Sequence, residues 1–210
     1  LNENGNWFFN GGSDWNGGGH HFSVNYGYGL ANAYNSVRLA EAWELFSPTA
    51  RTSGNEQTTS VTDTTARTIG DLATVDTTLT AGSLEIEHIT VTVTLTHANF
   101  IDLDIFLVSP DGKQVMLVDG STGNSGTASG GLTWSFGVDS FRGANALGDW
   151  TVRISDVVSG NAGTVSNVEL DFFGATTSAN DVYHYTNEFS DMVALEAART
   201  TLADANGGID

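Results

Sequence analysis

His97-Ala98-Asn99-Phe100-Ile101-Asp102-Leu103-Asp104-Ile105-Phe106-Leu107-Val108-Ser109-Pro110-Asp111-Gly112 is the stretch that decides the fold. Leu103, Ile105 and Leu107 recur at every second position, with Asp102, Asp104 and Phe106 between them. A period of two puts one set on each face of a strand. Pro110-Asp111-Gly112 then supplies the dihedrals of a tight turn, and Val115 to Val118 reads as the returning strand. Upstream, Ile86 and then Ile89, Val91, Val93 and Leu95 alternate with Thr90, Thr92, Thr94 and Thr96, which suits a half-buried strand. Downstream, Leu132 to Phe136, Trp150 to Ser155 and Val165 to Phe173 read as further strands. Polar turns separate them, and no helical period intervenes. The expected fold is mainly β, an antiparallel β-sandwich of jelly-roll type, with Trp134 and Trp150 in its core.

The ends follow different rules. Residues 1–28 are rich in Gly, Asn and aromatics and read as loop. Between Gly29 and Phe46, Leu30, Ala33, Val37, Ala40 and Trp43 are spaced as one face of a helix, which Pro48 stops. Ser, Thr, Gly, Asn and Gln dominate residues 47–65, the composition of a linker. After Gly174, Met192, Leu195, Ala198 and Leu202 predict a short C-terminal helix that ends before Gly207-Gly208. Short helical segments are therefore expected at both ends of the sandwich.

The chain has 210 residues and no cysteine, so neither a disulfide nor a thiolate metal site is available. Twenty-five acidic residues face seven basic ones, a formal net charge of −18. Phosphate neutralisation needs Lys and Arg, so nucleic acid and anionic membrane surfaces are excluded as partners. No apolar run approaches the ~20 residues of a membrane span. The absence of cysteine and the acidic surface suit a secreted protein. The opening Leu1-Asn2-Glu3-Asn4-Gly5-Asn6-Trp7 carries no signal-peptide pattern and reads as an internal stretch of something longer.

Carboxylates are the chemistry in best supply, and their hard oxygens are ligands for calcium. Asp102 and Asp104 are expected to project from one strand face, with Asp156 ending another strand, and these three are the candidate metal ligands. The alternative is that Asp102 and Asp156 hydrogen-bond to the backbone at turns. Asp111 suits turn chemistry. His97 is expected at a strand end as a hydrogen-bonding residue. His20-His21 is a possible transition-metal pair, and Asp204 to Asp210 a fragment of an acidic loop. A serine protease needs a nucleophile, a base and an orienting acid. No Gly-Thr-Ser-x-Ala-x-Pro segment, Gly-x-Ser-x-Gly elbow or His-Glu-x-x-His is present, so no catalytic residue is assigned.

His97, Asp102 to Gly112, Gly148 to Asp156 and Gly163 to Gly174, in that order, resemble the P domain of kexin- and furin-like proprotein convertases. Ile69-Gly70-Asp71 sits where that family often has Ile-Pro-Asp. Phe141-Arg142-Gly143 departs from the Trp-Gly-Glu common there. Tyr26-Gly27-Tyr28-Gly29-Leu30-Ala31-Asn32-Ala33 is similar to the closing helix of a subtilisin-like catalytic domain, with Asn32 where Asp is usual. Asp181 to Phe189 and Thr200 to Asp210 are similar to the start of the C-terminal region of serralysin-type proteases. The resemblance implies this layout: residues 1–46 as a catalytic-domain remnant, 47–59 as linker, 60–174 as P domain, and 175–210 as a serralysin-like helical tail. It implies a non-catalytic region of a secreted, calcium-dependent, subtilisin/kexin-type serine endopeptidase, whose partner is the upstream protease domain of the same polypeptide. The triad would lie outside this stretch, leaving it inactive alone. The alternative is a jelly-roll module that binds carbohydrate or protein.

Overall fold

A computed structural model describes residues 16–18, 22–23, 27–28, 33–42, 54–120, 131–179, 189–195 and 197–201. Among the described residues nine strands form two antiparallel sheets. In chain order they are β1 (Gln57–Asp63), β2 (Arg67–Ile69), β3 (Thr74–Ala81), β4 (Glu85–His97), β5 (Leu103–Val108), β6 (Gln114–Val118), β7 (Leu132–Val138), β8 (Gly148–Asp156) and β9 (Gly163–Ala175). One sheet runs β1-β9-β4-β7, with β2 also on β9. The other runs β3-β8-β5-β6. The mainly β, antiparallel sandwich is the expected one.

Alternation builds the core. Ile89, Val91, Val93 and Leu95 of β4 are buried, as are Leu103, Ile105 and Leu107 of β5 and Trp150, Val152 and Ile154 of β8. Trp150 is fully buried between Phe141 and Phe172, at ring separations of 5.1 and 5.2 Å. Its indole N–H donates to the Ala146 carbonyl at 2.7 Å, which satisfies the one polar atom such a ring carries inside. The intervening threonines face outward and pair across strands. Thr92 meets Ser135 at 2.8 Å, and Thr94 meets Thr133 at 2.9 Å.

Two register shifts interrupt the β4–β9 pair, between Ile86 and His88 and between Thr94 and Leu95. Each is written in the sequence as a three-residue gap between buried positions, Ile86 to Ile89 on β4 and Val165 to Val168 on β9. An extra residue on one strand resets the alternation. A glycine faces each irregular end. A Cβ on Gly174 would lie 1.9 Å from the Glu85 carbonyl oxygen, and one on Gly163 would lie 2.2 Å from that of Thr96.

Four expectations change. Trp134 is not core: it is 47% exposed on β7, an edge strand with a neighbour on one side only among the described residues. Asp102 and Asp104 do not share a strand face. Asp102 ends a 3-10 turn, Phe100–Asp102, and is buried beside buried Leu103, whereas Asp104 is half-exposed on β5. β1 opens at Gln57, inside the stretch read as linker; its threonines are β-branched and pair along β9. The N-terminal helix α1 spans Ala33–Ala42, and its expected apolar face is not covered, since Ala33, Val37 and Ala40 are exposed. Leu30 and Trp43 lie outside the described residues. C-terminally, a short helix α2 (Phe189–Leu195) and a 3-10 turn (Ala197–Thr200) stand where a helix is predicted. Among the described residues no helix is long and apolar enough to cross a membrane.

Candidate functional site

Among the described residues, two of the polar constellations outside the regular ladders join several separate segments of the chain. The first closes one end of the sandwich. β4 ends on His97, which is buried; the 3-10 turn delivers Asp102, and β8 ends on Asp156, also buried. Asp156 is the register partner of Leu103, so the pairing of β5 with β8 itself brings Asp102 and Asp156 together. Asp102 accepts from the Asn99 amide through one oxygen and from the Asn161 amide, at 2.9 Å, through the other. Asp156 Oδ1 accepts the Val158 N–H at 3.0 Å, and the Asp102 carbonyl accepts the Val157 N–H at 2.8 Å. Asp156 Oδ2 has no hydrogen-bond donor, and it faces His97 Nε2 at 3.3 Å with both side chains wholly buried. His97 Nδ1 lies 2.7 Å from the Asn99 carbonyl oxygen.

The cluster ties β4, the 3-10 turn, β8 and the 157–161 loop to one another. Asp104 takes no part: its carboxylate accepts the Gly120 N–H at 2.7 Å and so fastens the start of β5 to the chain just after β6. Of the three candidate metal ligands, the fold therefore gathers two. Their oxygens, Asp156 Oδ2 apart, already hold N–H donors, and a histidine occupies the remaining approach. As arranged, this donor set does not fit a hard cation, which needs several free oxygens. Among the described residues no group of three or more His, Asp or Glu side chains could hold a metal ion. Asn99 and Asn161 are the members of the cluster that sequence reasoning missed; an amide in a loop carries no periodic signal. His20, His21, His184 and Asp204 to Asp210 lie outside the described residues.

The second constellation is the turn from Asp139 to Ala144, between β7 and β8, and the N-terminal segment it holds. Asn16 is 4% exposed and donates its side-chain N–H to the Arg142 carbonyl at 2.7 Å. Asn16 Oδ1 accepts the Gly18 N–H at 2.8 Å. Gly18 is pressed against the turn: a Cβ there would fall 2.3 Å from both Ala144 N and Arg142 O. The Tyr28 hydroxyl donates to the Asp139 carbonyl at 2.6 Å and accepts the Arg142 N–H at 3.2 Å. Burial pushes the Tyr28 phenol above its usual range, although the bonds from Asn16 and Arg142 act the other way. Phe22 packs edge-on against Tyr28 at 5.2 Å. The turn is itself anchored, because Gly143 N–H donates to the Ile86 carbonyl and Ile86 N–H to the Ala144 carbonyl. His88 on the adjacent strand contacts the Asp139 carboxylate at 2.8 Å. Phe141-Arg142-Gly143 is thus the grip on the segment that precedes the sandwich. The sequence marks it only as a departure from the pattern of a resembling family.

Residues 86–172 match the family model described as the proprotein convertase P-domain. The chain is 32% identical over 158 residues to human proprotein convertase subtilisin/kexin type 6, and 29% identical over the same length to the rat protein. Each alignment takes in 70% of this chain and only 16% of the relative's length. A serine protease of Aeromonas sobria shares the fold, with a TM-score of 0.52 at 23% identity over 73% of this chain and 32% of that one. The same protease in complex with the chaperone ORF2 superposes with a TM-score of 0.54 at 22% identity, over 74% and 32% of the two chains.

Proposed function

We propose that this sandwich, a non-catalytic P domain of the proprotein convertase kind, stabilises a subtilisin-like serine protease domain that precedes it in the same polypeptide. The observation that carries the reading is the grip of the Asp139–Ala144 turn on Asn16, Gly18 and Tyr28. A segment outside the sandwich is held by two side chains with partners more than a hundred residues away. Such bonds count only if both parts are ordered against each other, so the sandwich works as a fixed support. The exposed Tyr34 and Val37 of α1 favour the same reading, because a helix with an uncovered apolar face has a neighbour elsewhere.

In this reading residues 1–46 are the end of the protease domain, 47–59 join it to the P domain of residues 60–174, and residues 175–210 open a C-terminal region of serralysin type. The protein acts outside the cell. The test is the full-length polypeptide with and without residues 57–175. Loss of the sandwich shortens the half-life of peptidase activity at elevated temperature; an unchanged half-life defeats the proposal.

Calcium at the rim is a separate proposal, confined to Asp102 and Asp156 because Asp104 is bonded to the Gly120 N–H apart from them, and supported by the carboxylate chemistry and by Asp156 Oδ2, which lacks a donor. It requires the Asn99 and Asn161 amides to turn away from Asp102. A melt of the 210-residue chain with and without EDTA decides it: bound calcium raises Tm by mass action, and coincident melts remove the proposal.

A further inference from the structure

Asn16 is followed by Gly17, and the fold allows little else at that second position. Gly17 has a φ of 88°, and a Cβ on it would lie 3.2 Å from Asp111 Oδ2. Asn-Gly is a chemically labile pair. With no Cβ on the glycine, its main-chain nitrogen reaches the carbonyl carbon of the Asn side chain unhindered. We infer that Asn16-Gly17 is a deamidation site kept closed by the Asp139–Ala144 turn, and that its conversion to aspartate or isoaspartate makes release of the N-terminal segment permanent.

The grip and the reaction compete for the same amide. Asn16 Nδ2 donates to the Arg142 carbonyl at 2.7 Å and to the Tyr28 hydroxyl at 3.2 Å, while Oδ1 accepts the Gly18 N–H at 2.8 Å. These bonds fix the plane of a buried amide. Ring closure needs that plane turned toward the Gly17 nitrogen, and it needs Nδ2 to leave. In the step itself the Gly17 nitrogen loses its proton to water and bonds to Cγ, the Cγ–Nδ2 bond breaks, and Nδ2 departs as ammonia. Water then opens the cyclic imide, at Cγ to give aspartate or at the main-chain carbonyl to give isoaspartate. Asparagine and water become aspartate and ammonia, with nothing oxidised or reduced. The bonds from Nδ2 must be given up first, so the rate follows how often the segment lifts off the turn.

The donor set is what cannot be restored. The Arg142 carbonyl and the Tyr28 hydroxyl both accept hydrogens carried by Asn16 Nδ2. A carboxylate carries none, and it would meet the Arg142 carbonyl acceptor against acceptor. Isoaspartate also lengthens the main chain by a methylene just where Gly18 has no room, since even a Cβ there would fall 2.3 Å from Ala144 N and Arg142 O. A segment that lifts off briefly reseats; one that reacts while lifted does not.

Peptide mapping by mass spectrometry tests this, by following the change from amide to acid at Asn16 in the 210-residue chain, in native buffer and in urea. Asn4-Gly5, Asn10-Gly11 and Asn206-Gly207 report the intrinsic Asn-Gly rate in the same urea sample. Asn16 is expected to react about tenfold or more slowly in the native chain, and Tyr28→Phe to bring its native rate toward the rate in urea. Equal rates at Asn16 in the two solvents overturn the inference. The consequence is tested separately, in a chain carrying Asn4→Gln, Asn10→Gln and Asn206→Gln. Its reacted form gains a negative charge and separates on anion exchange. That form and the Asn16→Asp variant should both be cleaved ahead of residue 57 about tenfold faster than the unreacted chain. Cleavage of both at the unreacted rate means that the grip accepts a carboxylate, and it overturns the inference as well.

Discussion

Single side chains in this sandwich differ sharply in what they hold. Trp150 combines complete burial, two aromatic neighbours and one satisfied N–H. Trp150→Ala is expected to cost about 3–5 kcal/mol in chemical denaturation, since it empties the centre of the core. Trp150→Phe keeps most of the packing but strips the Ala146 carbonyl of its donor, at about 1–3 kcal/mol. Asp63 shows an effect that only pH reveals. The hydrogen bond from Arg67, at 2.6 Å, holds its carboxyl well below the usual carboxylate range. A depressed folded-state value means the pair stabilises fully above the unfolded value, about pH 4, and is lost as acid protonates the folded carboxyl below that. Wild type should therefore melt higher than Asp63→Asn at neutral pH, with the two converging in strong acid. Arg153 and Asp76 form an exposed two-point pair at 2.8 and 2.9 Å that raises the Arg153 value, and removing it changes stability by only about 0–1 kcal/mol.

At the scale of elements, the long β4–β9 pair shows how much of a ladder can be read beforehand. The alternation of Ile89, Val91, Val93 and Leu95 names a strand, and the structure places its irregularities at the odd gaps Ile86–Ile89 and Val165–Val168. Near each irregularity a glycine lies close against a backbone carbonyl, Gly174 against that of Glu85 and Gly163 against that of Thr96. Gly174→Ala and Gly163→Ala should each destabilise by about 1–3 kcal/mol or more, because the clash is with main chain that cannot swing aside. Gly137→Ala meets only the His88 ring edge, at 3.1 Å, and should cost less. Denaturant midpoints of the three variants check this order. β1 was hidden by its composition, since a strand of mostly polar, half-exposed residues lacks the apolar rhythm that betrays its neighbours.

On the scale of the whole molecule, the grip on the N-terminal segment separates two kinds of stability. Tyr28→Phe removes the donor to Asp139 and the acceptor for Arg142 without touching the core. Its expected signature is an unchanged unfolding midpoint for the sandwich with faster proteolytic cleavage ahead of residue 57. A parallel fall in the midpoint shows instead that segment and sandwich unfold as one unit. The rim of His97, Asn99, Asp102, Asp156 and Asn161 lies away from that grip in sequence, and there the Asn99 and Asn161 amides hold Asp102 while Asp156 accepts the Val158 N–H.

Alternation of side chains determined that two apolar sheet faces must meet, because a period of two leaves β-branched and aromatic rows with nowhere else to hide from water. What sits beside what across those sheets depended on register and on loops, which couple residues far apart in the chain. Tertiary structure alone decided that Asp102 faces amides rather than Asp104, that Trp134 lies exposed on an edge strand, and that a three-residue departure at Phe141-Arg142-Gly143 clasps residues more than a hundred positions earlier. No local pattern encodes a contact whose two halves acquire their positions only when the sheets close.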